Sequence, residues 1–317
     1  MKVLITGGCG FIGSHLAEYY EKNGDAVTII DNLSTGSSDN LRDIDFKGEY
    51  KKGDIRDCQL IEELIENADL VLHMAAALGV DNIMRSTLES ISTNIVGSEV
   101  VLKAASKFKK RILIASTSEI YGKNPKQPLS ENDDRVVGTP QNIRWSYSDA
   151  KAIEEAMARS LNLENALAVT TVRLFNTVGP RQTGRYGMVI PRFVASAVNG
   201  EDVVVYGDGN QSRVFCHVYD AVSAIAKLIE NKETIGEVYN IGGTEEISIN
   251  ELAQKIIRET SSNSQIKRVP YSEIHPVGFE DMQRRVPNIE KIMKTIYWAP
   301  SKDLSEIIKD VALTIKK

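Results

Sequence analysis

The stretch KVLITGGCGFIGSHLAEYYEK (2–22), followed at once by AVTIID (26–31), decides how the chain is read. Val3, Leu4 and Ile5 form a short apolar run of the kind that makes a buried strand, and Phe11 to Lys22 carries helical spacing. Between them Gly7, Gly10 and Gly13 form G-x-x-G-x-x-G, a spacing variant of the dinucleotide-binding turn. Glycines there permit a tight turn, close approach of a pyrophosphate and packing of helix on strand. Free amides at the helix N-terminus then face the phosphate. Asp31 ends the next strand, where its carboxylate suits the adenosine ribose hydroxyls and would repel a 2′-phosphate, so NAD is expected over NADP. Asp54 and Ile55, after Gly53, are placed at the end of a third strand beside the adenine, although an Asp there also serves as a helix cap.

Outward from this turn, strand and helix patterns alternate. Strands are expected at Ala26–Ile30, Leu70–Leu72, Arg111–Ala115 and Ala168–Leu174, with helices at 91–108 and 147–163 and helical spacing around Leu60–Ile65. That alternation predicts an α/β fold with a doubly wound parallel sheet. After residue 178 the pattern changes to two glycine-rich loops (179–187 and 206–210) and helices at 219–230, 249–260, 287–295 and 303–315. The expected organisation is a nucleotide-binding domain over 1–178, to which later segments return, and a smaller C-terminal α/β cap over 179–317 that takes the substrate.

The 317 residues suffice for an ample core without disulfides. Lys and Arg number 38 against 43 Asp and Glu, a net charge of −5. This argues against general affinity for nucleic acid or anionic membrane, so an anionic ligand must be held by local arginines or amides. Cys9, Cys58 and Cys216 lie far apart with no C-x-x-C, and no pair among the four histidines has metal-ligand spacing. No metal is expected. Cys9 reads as a small filler and His217 as structural. With no signal peptide and no apolar run long enough to span a bilayer, a cytoplasmic protein is expected.

Tyr147 and Lys151 stand i,i+4 and share one helical face. An ammonium beside a phenol favours the phenolate, and a tyrosine so tuned can take a proton from a sugar hydroxyl as hydride leaves for NAD. Such spacing arises by chance in a chain with 11 tyrosines, so position carries the argument. The pair opens the helix that follows Ser116, Thr117, Ser118 and Glu119, at the C-terminal end of a strand, where open α/β sheets bind ligands. Thr117 supplies a hydroxyl to bridge substrate and Tyr147. Glu119 adds a carboxylate that simple hydroxyl oxidation does not need.

These segments together resemble the sugar-nucleotide branch of the extended short-chain dehydrogenase/reductase family, built on a Rossmann domain. The likeness is carried by TGGCGFIGSHL (6–16), DNLSTG (31–36), GDIRD (53–57), HMAAA (73–77), ASTSEIYG (115–122), YSDAK (147–151), RLFNTVGPRQ (173–182), YGDGNQSRVFCHVYDA (206–221) and NIGG (240–243). It implies NAD contacts from Phe11, Ile12, Asn32, Ala75, Ala76 and Asn94, besides Gly7, Gly10, Gly13, Asp31, Asp54, Ile55, Tyr147 and Lys151. It implies substrate contacts from Ser118, Asn176, Arg192, Tyr206, Arg213 and Arg285, with Asn176, Arg192 and Arg213 near a nucleotide diphosphate. Helices 91–108 and 147–163 match those of a family dimer interface, with Val96, Val100 and Val101 lying toward a partner or the core, so a homodimer is expected.

In this family the C4 hydroxyl of a nucleotide-linked sugar is oxidised, and the fate of the 4-keto sugar varies. Thr117-Ser118-Glu119 looks like both the UDP-glucuronate decarboxylase branch and the GDP-mannose 4,6-dehydratases, while RWSY (144–147) and GFEDMQRRVP (278–287) look like the decarboxylases, in which the arginine matching Arg285 lies close to the sugar carboxylate. Oxidation at C4 makes a β-keto acid that can lose CO2 from C5. Thr117 and Tyr147 would polarise the carbonyl, Arg285 orient the carboxylate and Glu119 handle the C5 proton, with Lys151 completing the catalytic set. A UDP-hexose or UDP-hexuronate 4-epimerase and an NDP-hexose 4,6-dehydratase are the alternatives. A non-enzymatic NAD(H) sensor fits poorly with an intact Thr117, Tyr147 and Lys151.

Overall fold

The computed structural model describes residues 1–79, 86–184, 188–274, 280 and 282–315. Arg185–Gly187 of the first glycine-rich loop, and Gly278, Phe279 and Asp281 of the GFEDMQRRVP segment, lie outside the described residues. In chain order the first half runs β1 (Lys2–Thr6), α1 (Phe11–Lys22), β2 (Ala26–Asp31), α2 (Asp39–Asp43), β3 (Glu49–Lys52), α3 (Cys58–Glu66), β4 (Leu70–His73), α4 (Thr87–Ser92), α5 (Ser98–Lys107), β5 (Arg111–Thr117), α6 (Ser146–Asn165) and β6 (Val169–Leu174). The second half adds β7 (Thr177–Val178), α7 (Val189–Val198), β8 (Val203–Tyr206), β9 (Ser212–Val214), β10 (Cys216–His217), α8 (Val218–Glu230), β11 (Val238–Ile241), β12 (Glu246–Ser248), α9 (Ile249–Glu259), β13 (Ile266–Val269), β14 (Arg284–Arg285), α10 (Glu290–Ile296) and α11 (Leu304–Ile315).

Seven parallel strands form the central sheet in the order β11-β6-β5-β4-β1-β2-β3. The first strand lies in the middle, with Val3 paired to Val27 on one side and to Leu70 on the other. The order reverses at β1 and β4, and that reversal opens the crevice in which such sheets bind ligands. Apolar layers cover both faces. Leu16, Tyr20, Val222, Ile225 and Ile229 of α1 and α8 pack on one, and Ile61, Val101, Leu102 and Ala158 of α3, α5 and α6 on the other. The expected doubly wound α/β fold is the observed one.

A separate apolar cluster, including Ile190, Phe193, Val205, Leu252, Ile256 and Ile308, forms in the C-terminal part of the chain. Here the sequence reading was least complete. Helix α7 and the short strands β7–β10 and β12–β14 were not anticipated, because two- to four-residue strands are too short to show a period. From the C-terminal part of the chain β11 joins the central sheet, paired with β6 from Val238↔Thr171 to Ile241↔Leu174.

The helix expected over 91–108 starts earlier and is not uniform. Thr93–Gly97 form a π-turn between α4 and α5, a distortion often found near functional sites. A side chain at Gly97 would sit 2.4 Å from the Ile55 side chain, so the turn lies tight against the end of the sheet. Of the valines expected to face either a partner or the core, Val101 is in the core, Val100 is half-buried and Val96 is exposed. Val101 therefore supports the sheet and cannot meet a partner.

Candidate active site

At the first turn the structure forms a cradle made of backbone. Gly7 has φ +70°, and a Cβ on it would lie 2.7 Å from the Ala75 nitrogen. A Cβ on Gly13 would lie 2.2 Å from the Gly7 carbonyl, so α1 can approach β1 only through glycine. Helix α1 has no side-chain cap, and its first amides remain available for an anion. Asp31 is buried at the end of β2, its Oδ2 accepting from the Cys9 amide at 2.9 Å and its Oδ1 from the Leu33 amide at 2.7 Å. Burial raises its pKa, and those two amides pull it back. The remaining lone pairs suit ribose hydroxyls, so this donor and acceptor set fits NAD.

The other residues assigned to NAD divide between surface and scaffold. Phe11, Ile12, Ala75 and Ala76 are half-buried along the cradle. Asn32 donates to Asp54 at 3.1 Å, and Arg56 grips the same carboxylate at 2.9 and 2.8 Å. Hydrogen bonding to Arg56 outweighs partial burial and brings Asp54 down to about 2. Ile55 is buried against Gly97 in the core, leaving mainly its backbone to face a ligand. Asn94, 1% exposed in the π-turn, both donates to and accepts from the backbone of Ala77. Its side chain thus clamps the loop after β4. Burial raises Cys9 to about 12, which makes it the inert filler expected.

Thr117 ends β5, and Tyr147 stands in the first turn of α6. The Thr117 hydroxyl accepts from the Glu119 amide at 3.2 Å and hydrogen-bonds the Tyr147 hydroxyl. The electrostatics differ from the simple expectation that Lys151 draws the phenol toward neutrality. Lys151 is 1% exposed, donating to the Ala115 carbonyl at 2.8 Å and to Glu154 Oε2 at 2.7 Å. Burial, then Glu119 and Glu154, raise the Tyr147 pKa, with the Thr117 hydrogen bond opposing them. Burial also raises Glu154, and Lys151 is the largest pull the other way. The sequence reading saw the ammonium but not its buried counter-ion.

Glu119 lies where the 117–121 turn leaves β5, its side chain 16% exposed. Oε2 meets Arg144 Nη1 at 2.5 Å and Oε1 meets Arg285 Nη1 at 2.7 Å. Burial pushes this carboxyl up, but the two guanidiniums outweigh it and hold Glu119 at about 2. Arg285 also donates from Nη2 to Asn176 Oδ1 at 2.7 Å, while its buried Nε has no partner. Asn176 in turn donates to the Val214 carbonyl. Three segments far apart in sequence thus converge through Glu119, Arg144 and Arg285. Sequence reasoning gave Arg144 no role. The available signal was its place three residues before Tyr147, opposite a carboxylate that needed a second cation once buried.

The arginines expected at the diphosphate sit in the cap. Strand β14 pairs with β9 so that Arg285 is in register with Arg213. Arg213 is 7% exposed and donates to the Ser212 carbonyl at 2.9 Å. Arg192 donates to the Val204 carbonyl and stacks on Tyr206, 4.1 Å from its ring centre. Ser118 is buried in the 117–121 turn. Among the described residues no group of three His, Cys, Asp or Glu is placed to hold a metal, and no helix is long and apolar enough to cross a membrane.

Comparison with known proteins agrees with this geometry. The family model described as GDP-mannose 4,6 dehydratase matches residues 4–311. The UDP-N-acetyl-alpha-D-glucosaminuronate decarboxylase of Bacillus cytotoxicus is 43% identical over 310 residues, covering 98% of this chain and 96% of the relative. UDP-glucuronic acid decarboxylase 1 of Danio rerio is 32% identical over 305 residues, 96% of this chain and 70% of the relative. The crystal structure of dTDP-glucose 4,6-dehydratase from Bacillus anthracis, in complex with NAD, superposes with a TM-score of 0.87 at 26% identity, covering 100% of this chain and 96% of that one. The fold and the cradle define an NAD-dependent enzyme of the extended short-chain dehydrogenase/reductase class. Within that class the chain belongs to the GDP-mannose 4,6-dehydratase family, whose members act on nucleotide-linked sugars.

Proposed function

We propose that the protein decarboxylates a UDP-linked hexuronate through a 4-keto intermediate. The observation that carries this reading is Arg285 at the sugar end of the crevice, held by Glu119 and Asn176. Among the described residues its buried Nε–H has no hydrogen-bond partner. The carboxylate of a uronate gives that donor a charged acceptor, which a neutral hexose does not. The similarity at 43% identity favours a 2-acetamido uronate over the plain glucuronate favoured by sequence motifs alone.

The glycine turn and Asp31 would hold NAD, which would supply reversible hydride transfer at C4. Tyr147 accepts the C4 hydroxyl proton with Thr117 holding the same oxygen. Arg285 holds the C5 carboxylate, and loss of CO2 leaves an enolate whose oxygen the same two hydroxyls stabilise. Glu119 delivers the proton needed at C5, relayed from solvent, since two arginines keep it ionised at rest. Arg213, Arg192 and Tyr206 hold the nucleotide end, assisted by Asn176 and Ser118 near the sugar. The working form is a cytoplasmic homodimer, a reading supported by exposed Leu88, Val96, Ile153 and Leu163 on α4, the π-turn and α6. Purified protein with NAD and, separately, UDP-N-acetylglucosaminuronate, UDP-glucuronate and UDP-glucose, followed by mass spectrometry, tests the proposal. Loss of one CO2 from a uronate is expected. Unchanged mass with a new stereoisomer, or loss of water from glucose, would replace it with epimerisation or dehydration.

A further inference from the structure

Glu154 has no place in the mechanism above, yet it is the group most intimately bound to Lys151. It lies one turn along α6, 0% exposed, with Oε2 at 2.7 Å from the lysine Nζ. Its other oxygen, Oε1, is buried with no hydrogen-bond partner among the described residues, while nearby Ser98 favours the ionised form. Ser98 continues into a buried chain, meeting His73 Nε2 at 3.0 Å, whose Nδ1 meets the Thr6 hydroxyl at 2.7 Å. Thr6 in turn accepts from the Ala75 amide at 3.2 Å, so Glu154 stands beside a buried row of neutral side chains and, among the described residues, Lys151 is its counter-ion. An acid buried this deeply costs several kcal/mol unless paired. Lys151 is its pairing group, and the ammonium's influence on Tyr147 is correspondingly cancelled.

We propose that Glu154 is a positioning residue that sets the ionisation of Tyr147, holding the phenol protonated until substrate and cofactor are in place. The inference rests on Tyr147 and Lys151 being the acid–base pair. The charged groups around that pair are Glu154, Glu155 and Lys151 on α6, and Glu119 from the turn after β5, itself neutralised by Arg144 and Arg285. From β4 comes His73, which burial and Lys151 keep neutral. Removing the charge at 154 leaves Lys151 without its anion. The phenolate of Tyr147, one turn before Lys151 on the same helix, then loses the repulsion of Glu154 and gains an ammonium with no anion of its own, so ionisation becomes easier.

Glu154→Gln keeps the side chain's shape and removes its charge. The acid limb of the kcat/KM profile should move down by about one pH unit or more. A second readout needs no turnover. Tyrosinate difference absorption of the cofactor-free protein, with the Tyr147→Phe signal subtracted, should show ionisation shifting in the same direction. Glu154→Asp, which withdraws the carboxylate by one methylene, should fall between parent and Gln, and it serves alone if the Gln variant does not fold. A loss of stability or turnover with no movement of either ionisation overturns the proposal and leaves Glu154 a structural anchor. If Tyr147→Phe keeps full turnover, the acid–base reading itself fails, and the two failures are thereby told apart.

Discussion

The two ends of the crevice are built from different materials. At the cofactor end, Gly7, Gly10 and Gly13 form a surface of backbone, and the one essential charge, Asp31, is held by two amides from neighbouring turns. At the sugar end the surface is charge. Glu119, Arg144 and Arg285 come from a strand end, a helix entrance and the cap, and none is placed without the others. A site of backbone depends on local geometry and tolerates changes elsewhere in the chain. A site of opposed charges depends on the whole fold and responds to pH.

Four measurements can break or sharpen that contrast. Tyr147 stands where the two ends meet, and Tyr147→Phe should cost a factor of about 10² to 10⁴ in kcat while NAD binding, followed by fluorescence quenching, stays unchanged. Arg144→Gln strips one cation from buried Glu119. Breaking such a pair costs about 3 kcal/mol, so thermal unfolding should move down markedly while Asp31-dependent NAD affinity holds. Asp31→Asn should do the reverse, weakening NAD by about tenfold to a hundredfold with little change in stability. Equal sensitivity of both properties to both variants would mean the two ends are one coupled unit.

The smallest effect is in acid. The folded-state pKa of Glu119 is depressed to about 2, against about 4.3 in an unfolded chain. Its contribution to stability is therefore complete above the unfolded value and lost as pH falls from there through about 2. A denaturation series over that range should show a component that disappears in Glu119→Gln. If the variant keeps the same acid slope, Glu119 is not the group responsible.

The same contrast explains what could be read from sequence. The glycine turn, Asp31 and the alternation of strands are local patterns, and the sheet and its cradle follow from them. Thr117, Tyr147 and Lys151 were found because helix spacing and a strand end fix their neighbourhood. Arg144 and Glu154 were not, since their significance depends on burial and on a partner that only the folded chain supplies. Val101 marks the limit of periodicity, since its helical spacing left partner and core both open and only the folded chain turns it to the sheet. In the cap, β9 and β14 are so short that only their pairing makes them strands, and that pairing sets Arg285 beside Arg213.

Strand β11 has a consequence for the chain as it is made. β6 is complete at Leu174, but its outer neighbour begins only at Val238, about 60 residues later. At a synthesis rate of roughly 5 to 20 residues per second, the edge of β6 waits several seconds on the ribosome without its mate. An open edge of that kind is a template for the wrong strand. Stalling the ribosome between these two points should therefore yield nascent chains that are held by chaperones and prone to aggregate. Stalling after Ile241 has emerged should yield chains that resist protease.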